Sequence, residues 1–213
     1  MIFLELVPKD INTCFQQSLA ALSTYPELTG INIPDIKRLS NRSYDTVSAL
    51  LEKNIDAIPH IRTMDDDLDT HLKRVEQLIA KGLTKILLVS GDAHIDAINK
   101  INPIFLTKEL KKRFSSLQIY TALDPYRHSF EEEINYAEEK LEAGATGFFT
   151  QPFFETTLTK RYLDKFKDVD MFVGISPVTD QKNLKYWQVV NNVKFPETFL
   201  LSNEYNISLA KQL

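Results

Sequence analysis

A chain of 213 residues with 43% apolar and 25% charged side chains is long enough for one substantial core and ordinary for a globular domain. Its formal charge of −4, with no cluster of Lys and Arg, excludes a basic surface for nucleic acid, and its apolar runs are too short to cross a bilayer. Met1 leads straight into Ile2-Phe3-Leu4-Glu5-Leu6-Val7 with no basic leader, and the single cysteine, Cys14, excludes an internal disulfide, so a cytoplasmic protein is expected.

The first strand is expected over Ile2 to Val7, closed by Pro8. Apolar residues at helical spacing then predict a helix from Ile11 to Leu22, and a short strand follows from Leu28 to Ile33, stopped by Pro34-Asp35. Ser43 is placed to cap a helix running through Lys53, and Ala57 to Ile61 reads as a third strand carrying Pro59-His60. The three acids Asp65-Asp66-Asp67 open the next helix, where they complement its dipole; that structural role outweighs a metal site, and no metal is expected. The helix keeps Leu68, Leu72, Val75, Leu78 and Ile79 on one face and ends at Lys81-Gly82.

Strand four, from Thr84 to Val89, is a continuous apolar run of the kind buried on both faces, and it ends in Ser90-Gly91-Asp92. Asp92 alone is as well suited to capping the next segment as to a site. A helix from Pro103 to Phe114 leads to strand five, Leu117 to Leu123, which stops at Asp124-Pro125. Ser129 caps the next helix, whose first turn carries Glu131, Glu132 and Glu133 and which closes at Ala143-Gly144-Ala145. Strand six is Gly147 to Gln151, before Pro152, and a helix spans Thr156 to Phe166. Strand seven, Met171 to Ile175, ends at Ser176-Pro177, and Asp180 caps a helix carrying Leu184, Trp187, Val189 and Val190. Pro196 to Leu213 holds short helices and no eighth strand.

Strict alternation of strands and helices requires parallel strands with right-handed crossovers, in either an open doubly wound sheet or a barrel. The first turns lack a Gly-rich phosphate fingerprint, which argues against the open dinucleotide-binding sheet. The expected fold is therefore a (β/α)8 TIM-type barrel with its eighth unit missing or modified, formed by residues 1–213 as one domain. In such a fold the strand C-termini face one ligand, which singles out Glu5, His60, Asp92 and Gln151. Each has a bland alternative: Glu5 as a paired core carboxylate, His60 as a satisfied structural histidine, Gln151 as a loop fastener.

Five motifs in order carry a resemblance to a known family: Phe3-Leu4-Glu5-Leu6-Val7-Pro8; Pro59-His60-Ile61; Val89-Ser90-Gly91-Asp92; Ala143-Gly144-Ala145 with Thr150-Gln151-Pro152-Phe153-Phe154; and Gly174-Ile175-Ser176-Pro177-Val178. Together they resemble methylenetetrahydrofolate reductase, a flavin-dependent barrel in which NAD(P)H reduces FAD and the flavin passes a hydride to 5,10-methylenetetrahydrofolate. The resemblance implies a folate substrate, with Glu5 as the general acid for opening the folate ring and Asp92 near flavin and pterin. It also implies Gln151 on the pterin, Gln181 where the family has a phenylalanine over the substrate, and His60, Ser90, Gly91, Asp92, Leu123 and Lys140 along the flavin. Departures fall mainly on the FAD side. Ser90 replaces an arginine, Leu123-Asp124-Pro125 replaces a tyrosine-proline pair, and an Arg-Lys pair near the diphosphate becomes Glu139-Lys140. The reductase reading therefore stands beside a folate-binding or regulatory barrel without tight FAD, and beside a reductase using a smaller flavin or none. The C-terminal segment, a partner subunit in a homo-oligomer, or residues outside this chain would cover the strand edges that a missing eighth unit leaves.

Overall fold

The computed structural model describes residues 1–91 and 101–213; Asp92 lies outside the described residues. Strands and helices alternate along the chain. They are β1 (Ile2–Glu5), α1 (Ile11–Thr24), β2 (Leu28–Ile33), α2 (Ser43–Leu51), β3 (Ala57–Arg62), α3 (Leu68–Ile79), β4 (Lys85–Val89) and α4 (Pro103–Arg113), then β5 (Gln118–Leu123), α5 (Phe130–Glu142), β6 (Gly147–Pro152), α6 (Thr156–Lys165), β7 (Asp170–Gly174), α7 (Gln181–Val190) and α8 (Asn203–Ala210). The seven strands follow chain order in the sheet, and the pairings β1–β2, β2–β3, β3–β4 and β6–β7 are parallel. This is the TIM-type (β/α) architecture expected, and no strand follows β7 among the described residues. No helix among them is long and apolar enough to cross a membrane.

The chain divides into two compact units. The first comprises residues 1–120 with 143–145, and the second residues 121–142 with 146–213. In the first unit the two faces of the strands have different fates, as the two-residue period of a strand requires. Ile31, Ile33, Ala57, Ile61, Ile86 and Leu88 pack with Val47, Leu50, Val75 and Leu78 from the helices into one core, where each is at most 3% exposed. Cys14 on α1 belongs to the same core as a free thiol, 1% exposed, and burial raises its pKa. The alternate positions Glu5, Asn32, Ile58, His60 and Arg62 point to the other face. Register aligns Glu5 with Asn32, Asn32 with Ile58, and His60 with Leu87. Gly30 is required by close approach, since a Cβ there would meet the Asp56 carbonyl oxygen at 2.9 Å and the Phe3 ring at 3.0 Å.

In the second unit Leu123, Ile134, Ala137, Phe148, Phe153, Tyr162 and Phe166 form the core, with Phe149 and Phe172 stacked at 4.4 Å between centroids. A separate aromatic cluster gathers Trp187, Phe195 and Phe199 around Phe154.

Several helix starts follow the sequence. Asp67 accepts the Thr70 N–H at 2.7 Å and Asp180 the Asn183 N–H at 2.8 Å. Ser129 and Glu132 form a reciprocal capping box, the Glu132 carboxylate accepting the Ser129 N–H at 3.0 Å while the Ser129 hydroxyl accepts the Glu132 N–H at 3.3 Å. Ser43 differs. The cap position of α2 is Arg42, which makes no side-chain cap bond, and Ser43 sits one residue inside the helix. Its N–H goes to Asp35 Oδ1 at 3.3 Å and its hydroxyl donates to the His60 carbonyl. A tertiary acceptor on β3 has taken the hydroxyl that local sequence assigned to capping.

Candidate active site

The polar cluster at the ends of β1, β2 and β3 is built by register. Glu5 is the last residue of β1, Asn32 is next to last in β2, and His60 lies two residues before the end of β3. Asn32 Nδ2 donates to Glu5 Oε2 at 3.4 Å, a long contact, and His60 Nε2 lies 3.9 Å from the same oxygen. That spacing would permit an ion pair, but the imidazole is not charged at neutral pH. Burial pulls the His60 pKa down to about 4, against the smaller opposing pull of Asp35. The Glu5 side chain keeps 56% of its surface open, yet the protein packed around its carboxyl group raises its pKa above the ordinary value. A carboxyl that is reachable and reluctant to ionise suits proton donation.

Two atoms here are buried without a hydrogen-bond partner, Asn32 Oδ1 and His60 Nε2. Buried polar groups are normally satisfied, and an unsatisfied one costs about 1–3 kcal/mol. Two such atoms side by side, next to an open carboxyl, leave hydrogen-bonding capacity unused at these strand ends.

A partly buried charge chain lies beside the cluster. Asp35 takes a two-pronged grip from Arg42, at 2.8 Å from Nε and 2.6 Å from Nη2, and Arg42 Nη2 also reaches Asp65 Oδ2 at 2.8 Å. Arg62 Nε donates to the same Asp65 oxygen at 3.1 Å. Two cations and two anions cancel, so the chain is held without a net buried charge. Arg62 also shapes the end of β4: Gly91 has φ +86°, and a Cβ there would lie 2.9 Å from Arg62 Nη2. Ser90, partly buried, offers its carbonyl to the Met64 N–H at 3.4 Å.

The structure thus brings Glu5 and His60 together in the first unit and sets Ser90 and Gly91 after β4, Gly91 against the Arg62 side chain. The remaining expected residues belong to the second unit. Gln151 is partly buried near the end of β6, where the register with β7 shifts, and Gln181 is exposed as the first residue of α7. Leu123 is wholly buried in that unit's core. Lys140 is 3% exposed; its ammonium donates to the Ala122 carbonyl at 2.7 Å and lies 3.8 Å over the Tyr136 ring. Burial, opposed by Glu133, pulls its pKa down to about 8. Glu139 is exposed. Lys140 is therefore spent on the interior and presents no cation to a diphosphate, so these residues do not fit the phosphate end of FAD.

Sequence reasoning passed over Asn32, Arg62 and the Asp35–Arg42–Asp65 chain. The signal for Asn32 was available: a lone amide between Ile31 and Ile33 in an apolar strand needs a partner. Among the described residues no group of three His, Cys, Asp or Glu side chains could hold a metal ion.

Comparison with solved structures places the fold among TIM-barrel-like proteins. A protein from Clostridium thermocellum that binds two copies of 5-methyl-5,6,7,8-tetrahydrofolic acid superposes with a TM-score of 0.70 at 14% identity, over 99% of this chain and 80% of that one. A 2,3-dimethylmalate lyase superposes with a TM-score of 0.56 at 12% identity, over 79% of this chain and 64% of the other.

The sequence narrows this to one family. The methylenetetrahydrofolate reductase family model matches residues 21–207, and the chain belongs to that family. The match begins after Glu5. A 5,10-methylenetetrahydrofolate reductase of Buchnera aphidicola is 26% identical over 168 residues, covering 75% of this chain and 58% of the relative. The Escherichia coli reductase is 23% identical over 165 residues, covering 73% and 56%. The chain thus spans little more than half the length of these relatives.

Proposed function

We propose that the protein is a reductase-type oxidoreductase that binds a reduced folate at the strand ends of its first unit. Glu5 protonates the ligand's one-carbon bridge there. The observation that carries this reading is the cluster itself: an open carboxyl with a raised pKa beside two buried, unpartnered polar atoms. Family membership supplies the substrate class, and the folate-binding Clostridium protein of the same fold supports it.

In 5,10-methylenetetrahydrofolate a methylene group bridges two nitrogens. A proton from Glu5 to N10 breaks the carbon–N10 bond and leaves a cationic iminium at N5; a hydride then converts that carbon to the 5-methyl group. Proton and hydride together balance the reaction. Neutral His60 beside the carboxyl adds no positive charge that would favour ionisation of Glu5 before transfer. Reduced nicotinamide is the proposed source of the hydride. Because Lys140 is turned inward and Glu139 is anionic, no step is routed through FAD. A folate-binding protein without turnover is the second reading, favoured by the same two residues.

Calorimetry with 5-methyltetrahydrofolate tests the binding, and its absence would remove the reading. Turnover with 5,10-methylenetetrahydrofolate and NAD(P)H, with and without added flavin, separates the two readings. Under the reductase reading Glu5→Gln lowers kcat by about 10²–10⁴-fold with a smaller change in binding. A variant turning over at the wild-type rate would sink the proton-donor role.

A further inference from the structure

Asn32 has two hydrogen-bonding ends with different fates. It is 6% exposed, its Nδ2 donates to Glu5 Oε2 at 3.4 Å, and its Oδ1 is buried with no partner. The NH₂ end faces Glu5, where it can donate to either carboxyl oxygen whichever protonation state Glu5 holds, and the carbonyl end faces away. Register fixes the side chain on the Glu5 and His60 face of the strands, and that face lies opposite the core packed beneath the helices. The amide thus reaches the carboxyl with one end and keeps an unused acceptor at the other.

We propose that Asn32 bridges the proton donor and the ligand, its NH₂ steadying the Glu5 carboxyl while its carbonyl oxygen accepts a ring N–H of the bound molecule. The neighbouring His60 Nε2, also buried and unpartnered, meets the same ring edge. The chemistry recognised is a nitrogen heterocycle presenting an N–H donor in its plane. A reduced pterin and a flavin both offer such an edge. The assignment of the ring to a folate rests on the proposed function; the bridging role does not. Asn32 acts on the proton through Glu5, as a positioning residue, and touches the ligand directly.

The experiment uses the full chain with Asn32→Leu and the isosteric Asn32→Asp, and two readouts. In the ligand-free protein, carbon-13 NMR follows the Glu5 carboxyl titration. Removing a donor to the charged form moves the Glu5 pKa up in Asn32→Leu, by about half a unit or more, and a second carboxylate moves it further in Asn32→Asp. An unchanged Glu5 titration in both variants overturns the link to the proton donor. Calorimetry then measures 5-methyltetrahydrofolate and FMN separately. For whichever ring binds the wild type, Asn32→Leu weakens binding about tenfold or more, while Asn32→Asp, which keeps an acceptor, weakens it less. Equal affinity of wild type and Asn32→Leu overturns the ligand contact. Binding of FMN but no folate overturns the proposed function while the FMN series still decides the contact. Binding of neither overturns both.

Discussion

Two clusters of buried or half-buried ionisable groups, one in each unit, invite comparison. In the first unit Glu5, Asn32 and His60 leave Asn32 Oδ1 and His60 Nε2 without partners. In the second unit Asp124, Glu133 and Lys140 are also perturbed by burial but make their contacts internally. Burial raises the Asp124 and Glu133 pKa values, Glu133 accepts the Asp124 N–H at 2.9 Å, and Lys140 is held by the Ala122 carbonyl. A shifted pKa is common to both and so discriminates nothing. What distinguishes the first cluster is that its unpartnered atoms lie beside a carboxyl that is itself open to solvent, whereas Glu133 and Lys140 are closed in.

The comparison can be broken most directly in the second unit. Glu133, 2% exposed, both takes the Asp124 N–H and faces the Lys140 charge. Glu133→Ala should destabilise the protein by about 3–5 kcal/mol, read from denaturant unfolding, because it strands a buried ammonium and a backbone donor. A loss under about 1 kcal/mol would show that the network is not structural.

Lys140 offers the next largest effect, with a defined sign. Its folded pKa of about 8 lies below the ordinary 10.5, so the unfolded chain binds more protons between these values. Stability should therefore rise with pH across that window, by about 3 kcal/mol, in wild type relative to Lys140→Met. Parallel curves for the two proteins would refute the buried-ammonium account.

The smallest effect is expected in the first unit. Glu5→Gln and His60→Gln remove groups that satisfy little in the free protein, so each should change stability by less than about 1 kcal/mol at pH 7. A large loss of folding on Glu5→Gln would move Glu5 to the structural side of the comparison. His60 adds its own pH signature. With a folded pKa of about 4 against 6.5 unfolded, its neutral burial favours folding above pH 6.5, and that advantage is lost as pH falls towards 4.

Much of this was legible in the sequence. Proline and glycine stops, apolar period and acidic caps place the seven strands and α1 to α7 within a few residues, because those signals are local, while α8 is expected only somewhere between Pro196 and Leu213. The strand-end position of Glu5 and His60 was equally plain. What local pattern could not show is where a long side chain turns once neighbours are present. Lys140 is expected beside the flavin diphosphate, yet its stem buries and its ammonium finds a carbonyl eighteen residues away in sequence. Ser43 reads as a cap and instead serves β3. Asn32 needed its register with Glu5 before its amide acquired meaning, and that register comes from pairing residues 27 positions apart.

Cys14 has a consequence of another kind. It is the chain's sole thiol, sits in the core of the first unit at 1% exposure, and is further protected by an upward-shifted pKa. A thiol reagent can reach it only when that unit opens. The labelling rate of native protein is thus an intrinsic clock for excursions of the first unit alone, since the second has no sulfhydryl to answer. Running that clock with and without a saturating ligand would report whether occupation slows the opening of the scaffold beneath it, with no introduced probe.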